Sequence, residues 1–183
     1  MSIVAERLRL ALVGTDHPHS ALYQQLVQAL DCVEPVAVCG DPDGVNEPLR
    51  PLPVFSTPEE LIRRAHFDAA LVTVPNDRAV ATLLPLIDAG KHILADKPVC
   101  RNAAEMREIV AAVERTGVRF AVGYQNRFQP AHERARSLVR SGRLGPLFAL
   151  QGHLITTDVA ARGPEHFLFK KAVSGGGVLH WLG

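Results

Sequence analysis

The chain has 183 residues, room for one full domain or for one domain and part of another. Hydrophobic residues at 47% and charged residues at 21% are ordinary for a globular protein, and a net charge of +1 gives no electrostatic footing for nucleic acid. The apolar runs are too short to span a bilayer, Met1 to Arg9 lacks the apolar core of a signal peptide, and Cys32, Cys39 and Cys100 show neither metal-ligand spacing nor a paired framework, so a reduced, cytoplasmic protein is the simplest account.

Leu10 to Val13 is a continuous apolar run ending at Gly14, the pattern of a strand covered on both faces. Residues 20 to 30 follow with Leu22, Leu26, Ala29 and Leu30 on one helical face, and Pro35 to Cys39 reads as a second buried strand ending near Asp41. Residues 40 to 53 hold four prolines and two glycines and read as a loop. Thr57-Pro58-Glu59-Glu60 opens a helix, with Thr57 as cap, Pro58 at the first helical position and Glu60 closing a capping box. Ala69 to Val74 is a further buried strand stopped by Pro75, after which Asn76 or Asp77 caps a helix that ends at Gly90. His92 to Ala95 is another buried strand. Asn102 and Glu105 then suggest a capping box for a helix with Met106, Ile109, Val110 and Val113 on one face, and Arg119 to Val122 closes the series. Strands alternating with helices imply parallel strands joined by right-handed crossovers, hence an α/β, doubly wound sheet. Beyond residue 123 the rhythm changes. A helix from about Ala131 to Arg140, ended by Gly142, leads into Leu147 to Thr156, expected to open a second, more open sheet.

Asp96-Lys97-Pro98 stands at the carboxyl end of a strand, where open α/β sheets place their ligands, and a lysine there can donate or accept a proton. The alternative is a strand-end turn with a solvated ion pair. Gly14 sits where a dinucleotide-binding loop belongs, yet Gly14-Thr15-Asp16-His17-Pro18-His19 keeps only the first glycine of G-x-G-x-x-G. Asp16 is unfavourable beside a pyrophosphate unless it points away, while His17, His19 and the N–H groups of the helix start could offset its charge. Asp16, His17 and His19 have the chemistry of metal ligands, but H-x-H on a turn is not diagnostic, and no metal is assigned. Asp41 ends the second strand, where an acid bonds the ribose hydroxyls of NAD or simply shapes a turn before Pro42. An acid there repels a 2′-phosphate, although Arg50 could serve one, so NAD is favoured over NADP.

Several segments now fall into one order: Val72-Thr73-Val74-Pro75-Asn76, Ala89 to Pro98, Val122 to Pro130, Ser141 to Gly145, and Gly175-Gly176-Gly177-Val178-Leu179. In order and spacing the chain resembles the glucose–fructose oxidoreductase, inositol dehydrogenase and rhizopine-catabolism (Gfo/Idh/MocA) family, from about Leu8 to Gly183. The resemblance implies a Rossmann domain at 1–122 and part of a C-terminal substrate and oligomerisation domain at 123–183, the start of an α/β domain with an open, mainly antiparallel sheet. It implies an NAD(P)-dependent oxidoreductase moving hydride between a nicotinamide and a sugar-, polyol- or inositol-like hydroxyl or carbonyl. Lys97 matches the family's catalytic lysine. Cofactor contacts carry over to Gly14, Thr15, Asp16, His19, Asp41, Val74, Pro75, Asn76, Asp96, Lys97, Pro98 and Arg127. Family members often have a cis bond before this proline. The implied partners are a small-molecule substrate and a second copy of the chain joined through the C-terminal sheet, with neither nucleic acid nor membrane.

Departures from the family pattern matter. Asp96 replaces a glutamate, Ala79 stands where a histidine is frequent, and Trp181 replaces an aspartate, either lining a pocket or packing against the sheet. The family's catalytic histidine comes just beyond Gly183, and His180 lies too early to match it, so the chain is expected to be truncated in its C-terminal domain. The alternative is a non-catalytic nucleotide-binding, regulatory or structural homologue completed by a partner chain.

Overall fold

The computed structural model describes residues 6–153 and 155–182, with the side chains of 158, 159, 178, 179 and 182 outside the description. The signal-peptide reading of Met1 to Arg9 therefore falls partly outside it, as do Leu154 and Gly183. Six parallel strands form one sheet: β1 (Leu8–Val13), β2 (Val33–Cys39), β3 (Val54–Phe55), β4 (Ala69–Val72), β5 (His92–Ala95) and β6 (Phe120–Val122). Their spatial order, β3-β2-β1-β4-β5-β6, is that of a Rossmann sheet. The crossovers are α1 (Ser20–Gln28), α2 (Pro58–Arg64), α3 (Ala79–Asp88) and α4 (Ala103–Thr116). β3 is a two-residue strand inside what the sequence presents as loop; proline-rich chain around it leaves only Val54 and Phe55 free to pair, with Val38 and Cys39.

The continuous apolarity of β1 and β4 is explained by burial on both faces. Ala11, Val13, Ala70 and Val72 point into the larger core, with Leu61, Leu83, Leu86, Ile87 and Ile109 from α2, α3 and α4. Leu10, Leu12, Ala69 and Leu71 point the other way, onto Val27, Val45 and Leu49. β5 departs from expectation. Ile93 and Ala95 are buried, but His92 and Leu94 are exposed, because among the described residues no helix covers that end of the second face.

Helix α1 carries a second correction. Its leucine stripe, Leu22, Leu26 and Leu30, faces outward, while Ser20, Gln24 and Val27 are buried. The Gln24 amide explains this: it donates to the Gly44 carbonyl at 2.9 Å and accepts from the Asn46 N–H at 2.7 Å. Loop 40–53 has backbone polar groups that must be paired where it packs on the sheet, and a glutamine can do this where a leucine cannot. On α4 Ile109 and Ala112 are buried, whereas Val110 is exposed.

Helix ends follow the local chemistry with adjustments. Thr57 caps α2 by accepting from the Glu60 N–H at 3.2 Å, but the Glu60 carboxylate reaches back to the Ser56 N–H at 3.3 Å. Asn102 caps α4 through the N–H groups of Ala104 and Glu105, and Glu105 takes the N–H of Arg101. Neither Asn76 nor Asp77 caps α3 with its side chain; a 3-10 turn, Asn76–Arg78, precedes it.

Beyond β6 come α5 (Pro130–Arg140), α6 (Asp158–Arg162), α7 (Lys171–Ser174) and α8 (Gly177–Leu182). The strand expected over 147–156 is absent among its described residues, with Phe148, Leu150 and Ile155 almost fully exposed. A strand exists only where a neighbour bonds its N–H and C=O groups, and no described strand lies beside this one. Among the described residues the open antiparallel sheet is therefore not seen. α7 and α8 fold back on the loop after β5. Arg101 donates to the Ala172 carbonyl at 3.0 Å, and the His180 ring meets the Cys100 carbonyl at 2.8 Å. Gly175 allows this approach: with φ +84°, a Cβ would lie 2.4 Å from the Arg101 carbonyl oxygen.

The orientation of α1 is testable. Gln24→Ala strips partners from loop 40–53 and is expected to cost about 1–3 kcal/mol in urea unfolding. Leu26→Lys, on the exposed face, is expected to stay within about 0.5 kcal/mol of the parent. A greater loss for Leu26→Lys would reverse the assignment.

Candidate functional site

The strand order reverses between β1 and β4, so the loops after these strands diverge and leave a crevice at the carboxyl edge. The first loop starts at Gly14, whose φ is +95° and whose absent Cβ would lie 2.1 Å from the Thr73 carbonyl oxygen. The Thr73 hydroxyl donates to the Gly14 carbonyl at 2.8 Å, locking the two loops together. Thr15 turns toward the end of β2, where its hydroxyl accepts from the Asp41 N–H at 2.8 Å. Asp41 is exposed and accepts the Asp43 N–H at 3.0 Å. Asp16 points outward onto Arg78. The following helix α1 has no side-chain cap and no acid in its first turn.

The centre of the site is Asp96, the residue just after β5. Its backbone N–H donates to the Val72 carbonyl at 2.9 Å, which fixes it beside the crevice. Its side chain is only 5% exposed. Oδ2 is 2.6 Å from His19 Nδ1 and 3.5 Å from His17 Nδ1, and Oδ1 accepts the Tyr23 hydroxyl at 3.1 Å. Burial opposes ionisation of Asp96, but the bonds from His19 and the backbone N–H of Lys97 outweigh it. The carboxyl is held below its ordinary value. Burial pushes His17 the other way, down to about 4, so its ring is neutral at pH 7. Tyr23 is raised, first by burial and then by the carboxylate.

Lys97 lies next, half-buried, and is followed by a cis Lys97–Pro98 peptide. Its ammonium donates to the Trp181 carbonyl at 3.0 Å and sits 5.0 Å from the Trp181 ring centroid. Burial lowers its pKa from 10.5 and Arg162 adds to this, against the opposing charge of Asp96. Trp181 neither joins the sheet nor faces solvent. It stacks on His17 at 5.6 Å and 14° and meets Phe167 edge-on, forming a wall beside Lys97. Asn76 is buried and donates to the Pro98 carbonyl at 2.5 Å, tying the loop after β4 to the lysine loop; Val74, partly buried, packs on the larger core, and Pro75 leads into the turn.

The structure thus gathers Gly14, His19, Asn76, Asp96, Lys97 and Pro98 around one crevice, with Thr15 and Asp41 at its β2 end. Arg127 is not brought in: it is exposed, on a 3-10 turn, with its guanidinium over Phe128. Sequence reasoning missed Tyr23 and the burial of His17. Tyr23 stands four residues after His19, one turn along α1, which was the available signal.

The model of the oxidoreductase family with an NAD-binding Rossmann fold (Gfo/Idh/MocA) matches residues 8–124. The rhizopine catabolism protein MocA of Rhizobium meliloti is 29% identical over 147 residues, 78% of this chain and 45% of that protein. Inositol 2-dehydrogenase of Salmonella typhimurium is 21% identical over 189 residues, 100% of this chain and 55% of the relative. Among solved structures, scyllo-inositol dehydrogenase from Lactobacillus casei with bound NAD(H) and scyllo-inositol superposes with a TM-score of 0.70 at 18% identity. That match covers 76% of this chain and 43% of the other, and shares the fold. The chain spans about half the length of the curated relatives it matches. The family match over the whole parallel sheet, and the lysine and proline that follow β5, together make the chain a member of the Gfo/Idh/MocA oxidoreductase family with an NAD-binding Rossmann fold.

Proposed function

We propose that this protein binds a nicotinamide dinucleotide along the crevice between the β1 and β4 loops and presents Lys97 to the reacting oxygen of a sugar- or polyol-like substrate. The observation that carries this reading is Lys97 itself, a half-buried ammonium beside the crevice, held by the Trp181 carbonyl. The residues present fit the cofactor at its two ends. The uncapped start of α1 offers N–H groups to a pyrophosphate, and Asp16 is drawn away to Arg78 rather than repelling it. Asp41 is exposed at the end of β2, suited to ribose hydroxyls. Its charge opposes a 2′-phosphate, and Arg50 is engaged with Glu47, which supports NAD over NADP.

When bound, the nicotinamide supplies the hydride donor or acceptor. Lys97 does the rest that this chain can do. An ammonium has three donors and the Trp181 carbonyl takes one, so the lysine can hold a substrate oxygen while negative charge grows on it. The lowered pKa makes the proton easier to exchange with that oxygen. Asn76, through Pro98, keeps the lysine loop in register with the crevice. In this reading residues 1–122 are the cofactor domain and 123–183 part of the substrate domain, a boundary supported by the family match ending at residue 124. The exposed apolar side chains at 148, 150 and 155 are the proposed surface for self-association. Three unpaired cysteines support a reducing, cytoplasmic setting. Among the described residues no helix is long and apolar enough to cross a membrane.

Binding tests the first half. NADH is expected to raise the melting temperature, and NADPH to do so less at equal concentration. Asp41→Ala is expected to weaken NADH binding about tenfold or more. No shift with either nucleotide at millimolar concentration sinks the proposal. Turnover tests the second half. Across a panel of polyols and sugars, Lys97→Ala should lower the rate by roughly 10²-fold or more, with little change in NADH affinity. Equal losses in both would refute the role given to Lys97, and NADH binding without turnover of any panel member would favour the non-catalytic reading.

A further inference from the structure

We propose that His17, His19 and Asp96 form a binding site for a divalent transition-metal ion with the ligand preferences of zinc. One ring nitrogen of each histidine and a carboxylate oxygen of Asp96 all lie within 4.8 Å of one another. A tetrahedral centre with bonds of about 2.0–2.2 Å separates its ligand atoms by about 3.3 Å. The 3.5 Å gap between His17 Nδ1 and Asp96 Oδ2 already matches this. The 2.6 Å gap from His19 must open by less than about 1 Å, the change expected when a shared proton is exchanged for a metal ion and released to solvent.

Two imidazoles and one carboxylate leave at least one coordination position open, the composition of catalytic rather than structural metal centres. The ligands are also supported from behind. Tyr23 holds Asp96 Oδ1, which frees Oδ2 to face the histidines. Trp181 stacks on the His17 ring and sets its plane. Such outer contacts orient metal ligands and are part of how these sites work. His17 and Asp96 are shut off from solvent, with side chains 2% and 5% exposed, whereas His19 at 29% is the side from which an ion would enter.

A hydrogen-bonded trio without an ion is the competing account, and metal titration separates the two. His17 Nδ1 accepts the backbone N–H of His19 at 3.2 Å, a bond that an ion at this nitrogen replaces. Asp16, the acid adjacent in sequence to these histidines, takes no part because it faces Arg78. The metal site stands on these contacts alone and does not depend on the dinucleotide reading.

The test uses the 183-residue chain stripped with a chelator and titrated with Zn²⁺ alone by calorimetry, with Co²⁺ as a spectroscopic probe of coordination, and without nucleotide. One ion per chain is expected. His19→Ala and Asp96→Asn should each weaken binding by about tenfold or more. His132→Ala, at an exposed histidine outside the cluster, should leave it unchanged. His19 is partly exposed, so its variant decides the matter if Asp96→Asn fails to fold. Absence of binding by the parent chain, or equal affinity in His19→Ala, overturns the proposal.

Discussion

A carboxylate removed from water at the end of β5 constrains everything around it. Taking such a charge out of water costs several kcal/mol, while one hydrogen bond to a charged group contributes about 1.5–3 kcal/mol. A single partner would leave Asp96 protonated or misplaced. The fold supplies the His19 ring, the Tyr23 hydroxyl and the backbone N–H of Lys97, and together they keep the carboxyl ionised. This is why the phosphate loop carries His19 where G-x-G-x-x-G has its last glycine, and why helix α1 turns Tyr23 toward the carboxylate.

The same requirement aligns the sheet with the chemistry. β1 and β4 are packed on both faces and pair residue for residue from Leu10 to Val13, so the loops leaving them start from fixed positions. Gly14 lets these loops touch, and Asn76 extends the connection to Pro98. Lys97 inherits its place from this chain of contacts and from Trp181, which reaches it from the far end of the sequence. The lysine is thus gripped from both sides, by the sheet and by the returning α8.

Much of this was legible from residues alone. Continuous apolar runs marked the strands because a parallel sheet is covered on both faces, and Thr57, Asn102 and Gly90 marked helix ends because backbone N–H and C=O groups there need local partners. Asp96-Lys97-Pro98 was recognisable by its place after a strand. The misreadings share a cause. The leucine stripe of α1 satisfied helical periodicity, but periodicity does not say which face the sheet takes, and the polar groups of loop 40–53 decided it. Residues 147–156 had a strand's composition, but strand formation is a property of pairs.

By itself the sequence determined the βα alternation, the parallel sheet and the family, since these rest on local patterns and on motifs in order. Only the tertiary structure decided what Asp96 meets. His17 and His19 lie nearly eighty residues before it, and Trp181, which meets the neighbouring Lys97, more than eighty after it, and no local pattern encodes contacts across such distances. The physical reason is desolvation. Which charges are buried, and therefore which partners they must gather, is set when separate segments close over one another, and that closure turned a degraded phosphate loop and a strand-end turn into one site.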